Sequence, residues 1–185
     1  MQLYLPYAGI GSRQTPEPVL QAMTQLARVL ARKGFTLRSG HAQGADQAFE
    51  EGCNIENGSC EIFLPWRGFE GSDSDFASPT PEAVFLAETV HKAYKYVSHG
   101  AQKLIARNMH QILGRDLKQP SRFVLCWTPD GCINEETYTK QTGGTGSAIA
   151  LASRNNIPVF NLYNEPDIDE MFEFFNTLTK SPQEL

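Results

Sequence analysis

Short apolar runs alternate with amphipathic helical patterns along the 185-residue chain, and this alternation constrains the fold most strongly. Glycine, proline or polar residues bound each run, as is typical of β-strands. The runs cover residues 3–10, 35–39, 61–65, 122–127 and 158–163. Because parallel strands need a crossover connection that is usually helical, the alternation predicts an α/β fold with a mainly parallel sheet of about five strands.

The clearest helical pattern occupies residues 16–33. Its apolar side chains recur on one face at Val19, Leu20, Met23, Leu26, Ala27 and Leu30. We expect Thr15 to cap this helix, Pro16 to be its first residue and Gly34 to end it. Further helices are expected near residues 45–51, 144–154 and 168–178.

Residues 66–117 interrupt the alternation. A polar loop rich in glycine, serine and aspartate comes first, and two helical stretches follow near residues 81–97 and 101–113. We interpret this region as an elaborated helical crossover between the third and fourth strands. The chain has about the length of one domain. Residues 1–180 are therefore predicted to form a single Rossmann-like domain of three layers, and residues 181–185 a frayed tail.

Composition excludes several classes of protein. An apolar fraction of 41% and a charged fraction of 20% are those of an ordinary globular domain, and no apolar run approaches the length of a membrane span. The net charge of −5 argues against a surface that binds nucleic acid generally, although it allows a local basic patch.

The four cysteines are Cys53, Cys60, Cys126 and Cys132. They form no CxxC pair and have no neighbouring histidine pattern, so we predict no metal site, and no cofactor is indicated. Free thiols and the lack of a signal peptide favour a cytoplasmic location.

Three polar turns that contain glycine follow predicted strands. They read GIGSRQTP at residues 9–16, RSGHAQGAD at residues 38–46 and TGGTGS at residues 142–147. A backbone that wraps a phosphate must approach it closely and often needs positive φ, which glycine allows. The following helix adds free N–H groups and its dipole. Each turn by itself could equally be a tight connection without a ligand, and none completes a dinucleotide or P-loop motif.

The strand order decides which turns lie together. In the order 3-2-1-4-5, the first and fourth strands are neighbours, and the turns after them flank the crevice where open α/β sheets bind ligands. We therefore predict one phosphate pocket there. Its predicted members are Gly11, Ser12, Arg13, Ser39, Gly40, Gly44, Arg107, Asn108, Gly143, Gly144, Thr145, Gly146 and Ser147.

Two carboxylates are candidate catalytic groups. Asp46 and Glu50 are four residues apart at the start of the second helix, so they share one face. Either could act in base removal or bind a ribose hydroxyl, and an ordinary capping role for Asp46 is the alternative. Trp66 and Trp127 end predicted strands, where each could stack on a base or pack in the core. His41 lies within the second turn and could contact a ligand.

These segments occur in an order that resembles the SLOG superfamily, which includes DNA-processing protein A (DprA) and the "lonely guy" (LOG) cytokinin-activating enzymes. RSGHAQGAD is similar to the SGxAxGID turn of DprA, with Asp46 at its acidic position, and Arg107 and Asn108 match its RN segment. TGGTGSAIALA followed by IPVFNL resembles the family's glycine turn, helix and last strand. The match covers nearly the whole chain and is closest to small, stand-alone DprA-like proteins that bacteriophages often encode.

The resemblance implies a Rossmann-like sheet with a phosphate pocket and, by family analogy, a homodimer. LOG enzymes cleave nucleoside monophosphates with a glutamate of the motif PGGxGTxxE. Here Gly143 and Gly144 match that motif, but Ala150 stands at the glutamate position. Hydrolysis of this kind would need Asp46 or Glu50 as a substitute. Other SLOG domains bind signals derived from NAD or ADP-ribose, a role that needs no catalytic glutamate.

Three hypotheses of function follow. The first is a sensor, carrier or scavenger that binds a nucleotide or an ADP-ribose-like small molecule. The second is a nucleoside-monophosphate N-glycosidase, or phosphoribohydrolase. The third is DprA-like binding of single-stranded DNA in recombination, with a basic patch formed by Arg13, Arg38, Arg107 and Arg115. No membrane partner is predicted.

Overall fold

The computed structural model describes residues 3–180, and the predicted tail at residues 181–185 lies outside them. Five strands in this part of the chain form one parallel sheet in the order β3-β2-β1-β4-β5. The strands are β1 (Pro6–Gly9), β2 (Thr36–Ser39), β3 (Ser59–Ile62), β4 (Val124–Cys126) and β5 (Val159–Asn161). The predicted α/β class and strand order are confirmed.

Within residues 3–180, six α-helices cover the two faces of this sheet. They are α1 (Glu17–Arg32), α2 (Ala45–Ile55), α3 (Pro81–Val90), α4 (His99–Leu113), α5 (Thr145–Arg154) and α6 (Ile168–Thr179). Buried side chains of α1, α2 and α6 pack on one face, and those of α3, α4 and α5 pack on the other. None of these described helices combines the length and the hydrophobicity that a membrane span requires.

The two halves of the core differ in composition. Beneath α1, α2 and α6 the core is aromatic: Phe123 stacks on Tyr7 with ring centroids 5.3 Å apart and on Phe175 with centroids 4.4 Å apart. Beneath α3, α4 and α5 the core contains many alanines, among them Ala106 and Ala148. Small side chains let α4 and α5 lie close to the sheet, which places both helices beside the ends of β1 and β4.

The predicted start of α1 is wrong by one residue. The Thr15 hydroxyl donates to the Ser12 carbonyl at 2.7 Å instead of accepting from the helix. Pro16 is therefore the N-cap, and Glu17 is the first helical residue.

Helix α2 continues past its predicted end at residue 51 to Ile55. A Cβ atom at Gly52 would overlap the backbone oxygen of Thr24 in α1. This glycine therefore serves the close approach of two helices, although glycine in a sequence suggests the end of one.

Candidate functional site

A cleft of about 570 Å³ opens at the carboxyl ends of β1 and β4. These strands are neighbours at the point where the strand order reverses, which is the usual ligand position in open α/β sheets. The turn after β1 forms one wall, the turn before α5 forms another, and α4 crosses beside them. The predicted site residues that line the cleft are Gly11, Ser12, Arg13, Asp46, Arg107, Asn108, Gly143, Gly144 and Thr145.

The turn before α5 presents open backbone donors to the cleft. Gly143 adopts a φ of 67°, which glycine tolerates best. Within residues 3–180, the N–H groups of Gly143, Gly144 and Thr145 donate to no protein acceptor. Because Thr145 begins α5, these groups carry the positive end of the helix dipole, an arrangement suited to an anion.

Side chains behind the turn hold it in place. The Asn108 amide donates to the Gly144 carbonyl at 2.9 Å and to the Ser147 hydroxyl at 3.3 Å. Asp130 accepts from the hydroxyls of Thr139 and Thr142, each at 2.6 Å. Ser147 is fully buried, and it stabilises the turn without lining the cleft.

The turn after β1 is compact and fixed to β4. The Ser12 amide donates to the Trp127 carbonyl at 3.1 Å, and the Ser12 hydroxyl accepts from the Gln14 amide at 3.0 Å. A Cβ atom at Gly11 would lie 2.7 Å from the Cβ of Ala45, so the tight packing admits only glycine. Arg13 extends outward with 55% of its side chain exposed and lies 3.5 Å from Glu70. Because exposed ion pairs are weak, its guanidinium can turn from Glu70 to an anion in the cleft.

A buried ion pair forms the floor of the cleft. Arg107 Nη1 lies 3.3 Å from Asp46 Oδ2, and both side chains are about 5% exposed. Gly40 makes room for this pair, because a Cβ atom there would overlap the Arg107 guanidinium. The Nε of Arg107 and the Nε2 of Gln111 are buried, and neither has a hydrogen-bond partner within the described residues.

Burial favours the neutral form of both members of the pair, so it raises the pKa of Asp46 and lowers the pKa of Arg107. Desolvation raises the pKa of Asp46 to about 6, although the Arg107 charge and the amides of Ala42 and Gly40 act in the opposite direction. Desolvation likewise lowers the pKa of Arg107 from its usual value. The cleft floor therefore offers a carboxyl group that titrates near neutral pH beside two unsatisfied N–H donors.

The polar groups of the turn after β2 form hydrogen bonds within the protein. Glu50 accepts from the His41 amide at 2.8 Å, and its other oxygen lies 2.6 Å from His41 Nδ1. The Ser39 hydroxyl donates to the Gly9 carbonyl at 2.9 Å. The predicted site residues that do not line the cleft are Ser39, Gly40, Gly44, Glu50, Gly146 and Ser147.

Sequence reasoning missed an apolar wall and several polar residues of the cleft, among them Gln111 and His91. Val97, Leu104 and Ile105 form much of that wall. Gln111 lies four residues after Arg107, so helical spacing could have placed it on the same face. His91 also lines the cleft with its Nδ1 buried and unpartnered among residues 3–180, and no local spacing signalled it.

The four arginines predicted as a DNA-binding patch do not lie together. Arg13 and Arg107 line the cleft. Arg38 is 1% exposed and pairs with Glu61 at 2.7 Å, and Arg115 lines a different groove. Among residues 3–180 no cluster of three or more histidine, cysteine or acidic side chains has the geometry of a metal site.

Solved structures share this fold. DNA processing protein A from Helicobacter pylori superposes with a TM-score of 0.56 and 20% identity over 94% of this chain and 80% of that one. The Moco carrier protein of Chlamydomonas rheinhardtii gives a TM-score of 0.51 and 16% identity over 95% and 85% of the two chains. At these identities the likeness shows the fold alone, and it is consistent with a DprA-like architecture. No family model and no curated protein matches the sequence.

Proposed function

We propose that the cleft binds the phosphate end of a nucleotide or ADP-ribose-like ligand, and that the protein acts as a sensor, carrier or scavenger. The unpartnered donors on the cleft floor carry this proposal. Arg107 Nε and Gln111 Nε2 are buried without an acceptor, and each such group costs about 1–3 kcal/mol. Ligand oxygens that reach this floor would supply the acceptors that these donors lack.

The open amides of the turn before α5 support a phosphate in particular. Gly143, Gly144 and Thr145 present three N–H groups from one wall, and Arg13 adds an exposed guanidinium from the other. Backbone donors at a helix start together with an arginine fork suit a tetrahedral oxyanion better than they suit a single carboxylate.

The apolar wall supports a ligand with a second, less polar part. Val97, Leu104 and Ile105 line the side of the cleft formed by α4 and the segment before it. Nucleotides combine a phosphate with a flat base, and pockets of 300–1,000 Å³ enclose ligands of this size. The volume of about 570 Å³ fits one nucleotide unit.

The named neighbours are compatible with two of the hypotheses. One is a Moco carrier, and the other binds single-stranded DNA. Membership of the SLOG superfamily, an origin in a bacteriophage, a cytoplasmic location and a homodimer stay predictions from the sequence. Carriage of a small molecule is favoured for this cleft because its unsatisfied donors lie on a buried floor.

Mass spectrometry tests the proposal. Excess protein is incubated with pooled nucleoside monophosphates, NAD and ADP-ribose, and the filtrate and the protein-bound fraction are analysed. We expect an intact ligand to be retained, with retention reduced at least tenfold in Arg107→Gln and in Gly144→Ala. Arg122→Gln removes one charge at the opposite end of the sheet and should retain the ligand normally. Absence of any retained nucleotide would refute the proposal.

An N-glycosidase is the second candidate, and the carboxyl group of Asp46 favours it. Asp46 lines the cleft with a pKa raised to about 6 by desolvation, which is suitable for general acid or base catalysis. The same assay would then show free base and ribose phosphate in the filtrate, and Asp46→Asn would abolish them. Glu50→Gln should retain turnover, because Glu50 contacts His41 behind the cleft.

A further inference from the structure

A second groove of about 560 Å³ lies on the other side of α4. Arg107 and Gln111 of α4 face the first cleft, whereas Lys103 and His110 face this groove. The two cavities share no lining residue. The second groove is therefore a separate feature, built mainly by the crossover between β3 and α4.

The groove is cationic in a chain whose net charge is −5. Arg67, Lys103 and Arg115 line it, and Asp75 is its one acidic residue. Within residues 3–180 none of the three cations forms an ion pair or donates a side-chain hydrogen bond. Unpaired like charges in one concavity repel one another and attract an anion.

Aromatic surfaces lie beside these charges. Trp66 is 38% exposed, and its ring is held edge-on against Phe69 with centroids 5.1 Å apart. The Arg115 guanidinium lies 4.7 Å from the centroid of the Phe76 ring. A half-exposed indole that is fixed in orientation provides a stacking platform for a planar base.

His110 fixes the shape of the groove without adding charge. Its Nε2 accepts from the Thr80 amide at 3.1 Å, so its Nδ1 carries the proton and donates to the Gly114 carbonyl at 3.0 Å. Burial lowers the pKa of this imidazole. The ring also stacks on Phe63 with centroids 5.6 Å apart, so the inner wall is rigid and neutral.

We propose that this groove is a second binding site, for a phosphorylated nucleoside. The base stacks on Trp66, and the phosphate is bound by Lys103, Arg115 and Arg67. The nucleoside phosphate is either a free nucleotide or one unit of a single strand. The site is independent of the ligand proposed for the first cleft, because it uses none of that cleft's residues.

Tryptophan fluorescence tests this site directly. Trp127 is 9% exposed, and the Trp127→Phe variant leaves Trp66 as the single emitter of the two tryptophans in the chain. AMP and a six-residue oligodeoxyadenylate are titrated separately into this protein at low and at moderate salt. We expect saturable quenching that weakens as salt rises. Quenching by AMP identifies a free nucleotide as sufficient, whereas quenching by the oligonucleotide alone identifies a strand.

Charge variants of the Trp127→Phe protein distinguish binding in this groove from binding in the first cleft. Lys103→Gln combined with Arg115→Gln should weaken the quenching at least tenfold, whereas Arg122→Gln, at the far end of the sheet, should leave it unchanged. Arg13→Gln should also leave it unchanged, because Arg13 belongs to the first cleft. Two results overturn the proposal: no quenching by either probe, or quenching that survives the double change and is lost in Arg13→Gln.

Discussion

The turn after β2 and the turn before α5 both contain glycines and both lead into a helix, but the hydrogen bonding of their N–H groups differs. In the first, the amides of His41 and Ala42 donate to the carboxylates of Glu50 and Asp46, at 2.8 and 3.4 Å. In the second, the amides of Gly143, Gly144 and Thr145 have no acceptor within the described residues. One turn binds the protein's own anions, and the other is free for an external anion.

This contrast shows that glycine content does not by itself identify a ligand site. Gly40 is needed because the Arg107 guanidinium occupies the space of a side chain, whereas nothing lies within 4 Å of a Cβ atom built on Gly144. Gly40 therefore allows the Arg107 side chain to pack against the backbone, whereas Gly144 leaves the backbone N–H groups of its turn accessible to a ligand. Substitution at these two positions therefore tests the comparison most strongly.

The largest effect is expected for Gly40→Ala. The new methyl group would displace the buried Arg107 and break its pair with Asp46, so we expect the free energy of unfolding to fall by about 3 kcal/mol. Gly144→Ala should change it by less than about 1 kcal/mol and still weaken ligand retention. Urea denaturation measures the free energy of unfolding, and the retention assay measures ligand binding. Equal losses of stability in the two variants would contradict the claim that Gly40 is needed for packing and Gly144 for access of the ligand.

The second effect is a dependence of stability on pH that arises from Asp46. The pKa of Asp46 is raised by desolvation from 3.8 to about 6, so between those values the folded state binds more protons than the unfolded state. The contribution of Asp46 to stability is therefore full below about pH 4 and is lost as pH rises through about 6. Relative to Asp46→Asn, the wild type should lose on the order of 3 kcal/mol between pH 4 and pH 7.

Urea denaturation of both proteins at several pH values measures this difference, and the comparison cancels the titration of all other groups. Asp116→Asn, an exposed change of the same kind outside the cleft lining, is the matched control variant. A difference that grows in the opposite direction would mean that attraction to Arg107 outweighs burial at Asp46.

A smaller effect is expected for Asp130→Asn, which acts on the open turn from behind. Asp130 Oδ2 accepts from both Thr139 and Thr142 at 2.6 Å, and Oδ1 accepts from the Cys132 amide at 3.4 Å. Asparagine lacks the negative charge and places an NH2 group at one of these two oxygen positions. We expect a loss of about 1 kcal/mol in unfolding free energy together with weaker ligand binding. Calorimetric titration with the retained ligand measures the affinity. Unchanged affinity despite lost stability would show that these threonines do not position the turn.

The smallest effect on stability is expected for Arg13→Gln. The Arg13 side chain is 55% exposed and lies 3.5 Å from Glu70, so the change should alter the unfolding free energy by less than about 0.5 kcal/mol. Ligand affinity should nevertheless fall, and its dependence on salt should decrease. Arg122→Gln is the matched loss of charge, and an equal loss of affinity in that variant would point to net charge instead of a local contact.

The sequence predicted the strands well, because the apolar patterns that mark them are local, whereas their order in the sheet is a tertiary property that these patterns do not determine. Apolar runs bounded by glycine and proline located all five strands, and the helices between them required parallel connections. The predicted ends of helices were less accurate, because glycine can either end a helix or allow two helices to pack closely. The second helix was predicted to end near residue 51, but α2 continues through Gly52, which lies against the backbone of Thr24.

The site was predictable only in part, because several of its features depend on tertiary packing. The burial of Arg107 and its missing hydrogen-bond partner follow from the position of Gly40, which lies 67 residues away along the chain. The separation of Glu50 from Asp46 depends on His41, whose φ of 59° turns its ring back onto the Glu50 carboxylate. Helical spacing alone placed the two carboxylates on one face.

The most direct test of the central claim is to follow backbone amide signals by NMR as the retained ligand is added. The structure predicts large shifts for Gly143, Gly144 and Thr145, whose N–H groups are open. It predicts small shifts for His41 and Ala42, whose N–H groups already donate to carboxylates. Large shifts at the turn after β2, with none at the turn before α5, would contradict the account.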